Sequence, residues 1–185
     1  HRDLHSFPTR RSSDLLLIVM GYSLTKRFTS MSHLVLGFAL GIAPAAAWIA
    51  IRGALDVRIL WLTAAVTFWT AGFDIIYSCQ DVDFDKTEKL FSLPKALGVG
   101  GALWVSRLLH AVMVGCLVML WKEFALGALG AAGIAAIAGL LVYEHRLVRA
   151  DDLSRVNAAF FTVNGYVSVL FFVFWAADVA LGHRG

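Results

Sequence analysis

Charged residues are scarce in this sequence: Asp, Glu, Lys and Arg make up 16% of its 185 residues, against about 25% in ordinary soluble domains. The apolar fraction is 59%, and the mean hydropathy is +0.72. Because the few charges gather between long apolar runs, too little polar surface remains for a water-soluble fold. The composition therefore indicates a protein whose solvent is lipid.

Three further absences exclude other classes of protein. Cys79 and Cys116 are the only cysteines and lack metal-ligand spacing, which excludes a zinc finger or a disulfide framework. No basic stripe with interleaved aromatic residues occurs, which argues against a nucleic-acid partner despite the net charge of +3. No segment shows the polar and apolar alternation of membrane β-strands. The basic residues adjoin apolar runs, where they would meet anionic lipid head groups.

Long apolar runs are what the sequence does contain. A helix needs about 20 apolar residues to cross the hydrocarbon of a bilayer, and backbone groups in lipid must bond within their own segment. We therefore predict an all-α polytopic transmembrane helix bundle, with a partial first span at Leu16 to Leu24. The five full spans are His33 to Ile51, Ile59 to Cys79, Ala102 to Trp121, Ala125 to Tyr143 and Ala158 to Leu181.

The first fifteen residues do not resemble the rest. Residues 1–15, HRDLHSFPTRRSSDL, are polar and aperiodic and meet the apolar run at Leu16 without a turn or cap. A reverse translation of this segment resembles a sequencing-library adapter, so we interpret residues 1–15 as a non-native tail and residues 16–185 as the transmembrane domain. On this interpretation the gene was truncated upstream of Leu16.

Positive charge predicts the orientation in the bilayer. If Thr25 to Ser32 lies on one side and the spans alternate, the loops of that side hold eight Lys or Arg residues and those of the other side hold four. The first side is therefore predicted to be cytoplasmic. The Lys-Arg loop, an Asp-rich loop after Cys79 and the loop from Tyr143 to Asn157 would share it.

The Asp-rich stretch is the most informative part of the chain. On one continuous helix Asp74, Asp81 and Asp85 would share a stripe, and an acid inside an apolar span, as Asp74 is, is by default functional. Converging carboxylates repel one another unless a cation offsets them. Mg²⁺ suits such acids, because it binds one or two carboxylates and bridges to substrate phosphates. For Asp83, a solvated position beside Lys86 is an equally good interpretation.

These residues and two flanking segments resemble the UbiA-type prenyltransferase superfamily. Tyr77-x-x-x-Asp81-x-x-x-Asp85 resembles the second Asp-rich motif of that family. Tyr22-Ser-Leu-Thr-Lys26-Arg27-Phe-Thr29 upstream resembles its Tyr-x-x-x-Lys-Arg-x-Thr loop, and Phe160-Phe-Thr-Val-Asn164-Gly165-Tyr166 downstream resembles the start of its final helix. The three motifs occur in the family's order.

The resemblance implies an enzyme that transfers a polyprenyl group from a polyprenyl diphosphate to a hydroxylated aromatic acid. It places the protein in a bacterial inner membrane, in ubiquinone or menaquinone synthesis. The acceptor would be 4-hydroxybenzoate or a dihydroxynaphthoate. The implied roles are Mg²⁺ ligands for Asp81 and Asp85, diphosphate binding for Lys26 and Arg27, a catalytic or acceptor-side role for Asp74, and aromatic walls or substrate contacts for Tyr77, Tyr22 and Asn164. Asn164 could equally form a helix-to-helix hydrogen bond.

The sequence departs from the family in one respect. The first Asp-rich motif, Asn-Asp-x-x-Asp-x-x-x-Asp, does not occur in these residues, so we expect the chain as given to be inactive. A cation-coupled transporter fragment is the alternative, with the Asp residues as an ion path. His33 and His110, lacking a carboxylate at ligand spacing, are predicted to be structural. Gly98 to Gly101 is predicted to turn the chain into the next span.

Overall fold

The computed structural model describes residue 25 and residues 27–182, and this part of the chain is helical almost throughout. A 3-10 turn (Val57–Ile59) precedes the second helix, another (Cys79–Asp81) follows it, and a π-helical segment (Ala158–Val163) leads into the last. The α-helices of the described residues are α1 (Ser32–Arg52), α2 (Leu60–Ser78), α3 (Val82–Thr87), α4 (Leu93–Glu123), α5 (Ala128–Leu147) and α6 (Asn164–Gly182).

Within the described residues, five helical stretches are long and apolar enough to cross a bilayer: α1, the run Val57–Thr87, α4, α5 and the run Ala158–Gly182. The predicted all-α transmembrane bundle with five spans is thereby confirmed. Large apolar side chains such as Trp104 and Phe172 point outward, as helices in lipid require. The partial span at Leu16 to Leu24 and the division at residue 15 lie outside the described residues and stay predictions.

Small residues set the spacing between neighbouring helices. A Cβ on Gly37 or Gly41 of α1 would overlap atoms of Thr67 on α2, so the two backbones touch at these glycines. Gly133 of α5 likewise makes room for Phe174 of α6. Association in lipid depends on such close van der Waals packing, because apolar side chains gain little by leaving a hydrocarbon solvent.

Two buried clusters hold the bundle together. One fills its middle and far end, with Met113, Leu117, Ile137 and Val163 among its members. The other joins the C-terminal end of α2 and the first part of α4 to the segment that connects α5 with the π-helix. We call the end of the bundle that holds this second cluster the mouth. Its buried residues are Ile75, Ile76, Cys79, Ala102, Leu103, Val148, Val156 and Ala159.

The predicted turn at Gly98 to Gly101 is a kink at Gly98, and α4 begins earlier than expected, at Leu93. Ser92 caps this start, its hydroxyl accepting a hydrogen bond from the Lys95 amide at 3.4 Å. Gly98 nevertheless interrupts α4 with φ 72° and ψ 164°, a conformation that glycine adopts without the clash a Cβ would bring. The first turn of α4 is therefore set at an angle to the rest of the span.

At the far end an intramembrane acid has a structural role. Asp178 of α6 is buried, and its Oδ2 accepts a hydrogen bond from the amide of Gly127, which precedes the first residue of α5. Helix N-termini carry unpaired N–H groups and a partial positive charge that a carboxylate stabilises. Asp178 thus fastens α6 to the start of α5.

Candidate active site

The Asp-rich stretch leaves α2 through a break in the helix. α2 ends at Ser78, and the 3-10 turn reorients the chain before α3 begins at Val82. The carboxylates of Asp74, Asp81 and Asp85 consequently do not form a set within 4.8 Å of one another; among the described residues that proximity belongs to His110, Glu144 and His145. The 3-10 turn interrupts the regular helix that the predicted stripe assumed, and the assignment of these acids to a metal site stays a prediction.

Asp74 has a different partner. The Nδ1 atom of His33 lies 2.7 Å from Asp74 Oδ2, and the His33 side chain is fully buried while that of Asp74 is 15% exposed. His33, predicted to be structural, joins α1 to α2 through this contact, and its carboxylate partner lies 41 residues away in the sequence. An acid within an apolar span needs such a partner. The sequence held one signal for this contact: His33 lies at the start of the span before the one that contains Asp74.

Asp85 is the least satisfied acid at the mouth. The residue is 1% exposed, and neither carboxylate oxygen has a hydrogen-bond partner among the described residues. Asp83, two residues earlier, is the opposite case: its side chain is 97% exposed and pairs with Lys86 at 3.1 Å. A buried carboxylate without donors is costly unless a cation compensates it. Hard carboxylate oxygens at this position fit Mg²⁺.

A lysine positions the loop that carries Asp85. The Nζ of Lys95 donates hydrogen bonds to the backbone carbonyls of Leu90 at 2.8 Å and Asp85 at 3.3 Å. The ammonium group thus binds the backbone of Asp85 and leaves its carboxylate available. Asp81, at the end of the 3-10 turn, is half-buried beside this loop.

Aromatic rings line the bundle next to the mouth. Phe160, in the π-helical segment, lies 4.5 Å from Tyr77 and 5.3 Å from Phe73 between ring centroids, and Phe73 in turn meets Trp69 at 5.4 Å. Phe161 packs edge-on against Phe160 but is itself 66% exposed. The predicted wall residue Tyr77 thus lies in an aromatic cluster with Phe73 and Phe160, and the sequence argument did not name Phe160 as a wall residue.

Asn164 bridges two helices. Its Oδ1 accepts a hydrogen bond from Trp69 Nε1 at 3.0 Å, and its Nδ2 donates to the Phe160 carbonyl at 2.9 Å. Of the two interpretations left open, the geometry matches the helix-to-helix hydrogen bond. A substrate contact by Asn164 stays a prediction.

The basic loop before α1 is described only in part. Tyr22 and Lys26 lie outside the described residues, while Arg27 is exposed in a turn shortly before α1, at the end where His33 meets Asp74. The loop after α5 reaches the same end, because Val148 and Val156 belong to the mouth cluster. In that loop, hydrogen bonds from Ser154 lower the pKa of the Asp152 carboxyl from its ordinary value.

Comparison with known proteins agrees with this arrangement. The profile of the UbiA prenyltransferase family matches residues 15–179. This chain belongs to the UbiA prenyltransferase family. Its fold is similar to the apo structure of a UbiA homolog from Aeropyrum pernix K1, with a TM-score of 0.76 and 31% identity over 91% of this chain and 62% of that one. The transporter alternative loses its basis, because the motifs on which it drew are those of the UbiA family.

Curated relatives are similar at about the same level. The 4-hydroxybenzoate octaprenyltransferase of Photobacterium profundum is 29% identical over 171 residues, which are 90% of this chain and 57% of that protein. The protein of the same name from Vibrio cholerae is 30% identical over 157 residues, 83% of this chain and 54% of the relative. The UbiA chain described here thus spans little more than half the length of these relatives.

Proposed function

We propose that this chain contributes the second metal-binding half of an enzyme that transfers a polyprenyl group from a polyprenyl diphosphate to a hydroxylated aromatic acid. One observation carries the proposal: the buried carboxylate of Asp85, without a hydrogen-bond partner among the described residues, lies at the mouth of the bundle. Family membership and the names of the relatives support the reaction class.

The acidic residues of the mouth would hold the diphosphate through Mg²⁺, and the basic residues would bind it directly. Asp81 and Asp85 are the residues we assign to Mg²⁺, which when bound would offset the negative charge that grows on the leaving diphosphate. Arg27 and Lys26 would bind the diphosphate oxygens directly. Positive charge on that side is required because the C–O bond breaks with its electron pair leaving on oxygen.

The aromatic cluster would protect the allylic carbon after that bond breaks. Phe73, Tyr77 and Phe160 present ring surfaces that attract positive charge and exclude water from it. The hydroxyl-activated carbon of the acceptor ring then forms the new C–C bond, and the ring proton leaves to a base. We assign the role of this base to the carboxylate of Asp74, which the contact with His33 would orient.

We expect the 185-residue chain alone to form no product, because no Asn-Asp-x-x-Asp-x-x-x-Asp motif occurs in it. The activity test therefore uses a chimera in which residues 16–182 replace the aligned part of a 4-hydroxybenzoate octaprenyltransferase. The chimera is assayed in membranes with Mg²⁺, a polyprenyl diphosphate and either 4-hydroxybenzoate or a dihydroxynaphthoate. Product from one acceptor only would identify the acceptor.

Two substitutions within α3 give the matched comparison. Asp85→Asn should lower turnover of the chimera by at least a hundredfold, since one charged group in a site of this kind is worth about 10²–10³ in rate. Asp83→Asn should leave turnover unchanged, because the Asp83 side chain is exposed and pairs with Lys86. A chimera that is correctly folded and inactive with both acceptors, or equally active with Asn at position 85, would refute the assignment.

A further inference from the structure

We propose that His110, Glu144 and His145 form a site for a divalent transition-metal ion of the Zn²⁺ class, separate in its residues from the Asp-rich loop. One ligand atom from each of the three residues lies within 4.8 Å of the other two. His110 comes from the middle of α4, and Glu144 and His145 come from the last turns of α5. Two imidazoles and a carboxylate are a ligand set that such ions prefer over Mg²⁺.

The spacing of the ligand atoms fits one ion. His110 Nδ1 lies 3.0 Å from His145 Nε2 and 3.5 Å from Glu144 Oε2. Ligands about 2.0–2.1 Å from a tetrahedral zinc ion are roughly 3.3 Å apart. The two observed separations lie on either side of that value, so an ion could be bound with small side-chain adjustments.

The second nitrogen of His110 is already engaged. His110 Nε2 lies 3.3 Å from the carbonyl oxygen of Trp69 in α2, which can only accept a hydrogen bond, so this nitrogen carries the proton. Nδ1 then presents a lone pair toward Glu144 and His145. Metal-binding histidines commonly donate their other N–H to a backbone carbonyl in this way. Gly72 permits the arrangement, because a Cβ there would overlap the His110 ring.

Without an ion, the carboxylate of this cluster remains unsatisfied. Glu144 is fully buried, and neither of its carboxylate oxygens has a hydrogen-bond partner among the described residues. If His145 Nε2 donates a hydrogen bond to His110 Nδ1, the carboxylate of Glu144 still gains no donor, because Nδ1 of His110 carries no proton. A bound cation would satisfy the carboxylate and both lone pairs together.

An ion can reach the cluster from outside. His110 and His145 line a groove of about 530 Å³ between α4 and α5, and the buried Glu144 is not among the residues that line it. Three protein ligands would leave a fourth tetrahedral position free, as in zinc sites that bind an exchangeable ligand. Arg107 and Arg146 line the same groove, and their positive charge would favour an anion as the fourth ligand.

The test measures metal binding and needs no prenyl transfer. The chain is purified without a histidine tag in detergent, stripped with a chelator and titrated with Co²⁺, whose visible absorption reports tetrahedral nitrogen and oxygen ligands. Bound Zn²⁺ is counted by mass spectrometry after gel filtration. We expect one tightly bound ion per chain, with an intense Co²⁺ spectrum that Zn²⁺ displaces and Mg²⁺ does not.

The variants separate this site from other ion-binding groups. Glu144→Gln and His145→Gln should each weaken Co²⁺ binding at least tenfold, while Glu123→Gln, an exposed acid at the end of α4, should not. Asp85→Asn should also leave the Co²⁺ spectrum unchanged. The absence of a tetrahedral spectrum in the unaltered chain overturns the proposal whether or not the variants fold, and so does unchanged affinity in a folded Glu144→Gln variant. Either result leaves the proposed prenyl transfer untouched.

Discussion

The substitution Asp85→Asn tests the central electrostatic argument in the absence of any reaction. Asp85 is 1% exposed, and its carboxylate oxygens have no hydrogen-bond partner among the described residues. In the metal-free chain the amide should therefore be tolerated, leaving the unfolding temperature equal or raised, since a buried amide costs less than an uncompensated carboxylate. With Mg²⁺ present the order should reverse, because only the carboxylate can bind the ion.

The magnitude follows from linkage. An ion that binds only the folded chain stabilises it by about 2.7 kcal/mol at a hundredfold excess over the dissociation constant. For a protein of this size each kcal/mol moves the unfolding temperature by about 2–4 °C, so Mg²⁺ should raise it by roughly 5–10 °C. Asp85→Asn should remove nearly all of this rise. Asp83→Asn should keep it, because Asp83 lies outside the buried site.

The assay is thermal unfolding of the chain in detergent, first with a chelator, then with Mg²⁺, then with Mg²⁺ and inorganic pyrophosphate. A larger rise with pyrophosphate than with Mg²⁺ alone is expected if the ion bridges to phosphate oxygens. A rise of equal size in the Asp85→Asn and Asp83→Asn variants would show that Mg²⁺ binds elsewhere. A metal-free Asp85→Asn variant less stable than the unaltered chain would show that the carboxylate has a protein partner.

Four further substitutions test the packing of the helices, each by thermal unfolding. His33→Ala removes a buried hydrogen bond to the carboxylate of Asp74 and should cost about 2 kcal/mol; a neutral result would mean that the contact does not stabilise the folded chain. Gly41→Ala forces α1 away from α2 and should cost about 1–3 kcal/mol, whereas Gly115→Ala, which meets open space, should be neutral or stabilise by up to about 1 kcal/mol. Asp178→Asn weakens the start of α5 and should cost about 1 kcal/mol, with faster hydrogen exchange in the first turn of that helix.

The fold could be predicted from the sequence because a lipid environment allows few backbone structures. Each apolar run of spanning length had to be a helix, and the predicted span of residues 33–51 differs from α1 (Ser32–Arg52) by one residue at each end. α4 was harder to predict. Its start at Leu93 is nine residues earlier than expected, because Gly98 was interpreted as a turn when it is a kink within one helical stretch.

The candidate site was predictable in its residue types but not in its contacts. Asp85 and Asp83 have the same side chain two residues apart, and only the packing of α3 on α4 decides that one is buried and the other exposed. His33 and Asp74 are far apart in sequence, so their contact depended on which helices are neighbours. Phe160 faces Tyr77 from the π-helical segment, a departure from regular helix that apolar periodicity cannot reveal.

Gly98 has a mechanical consequence for the mouth. The short helical turn before Gly98 carries Lys95, whose ammonium group donates hydrogen bonds to the carbonyls of Asp85 and Leu90. These bonds hold the turn and the Asp-rich loop together. Gly98 forms the kink between this turn and the long membrane-spanning part of α4. A side chain at position 98 would strain this backbone conformation, so we expect such a substitution to disturb the placement of the buried Asp85 as well.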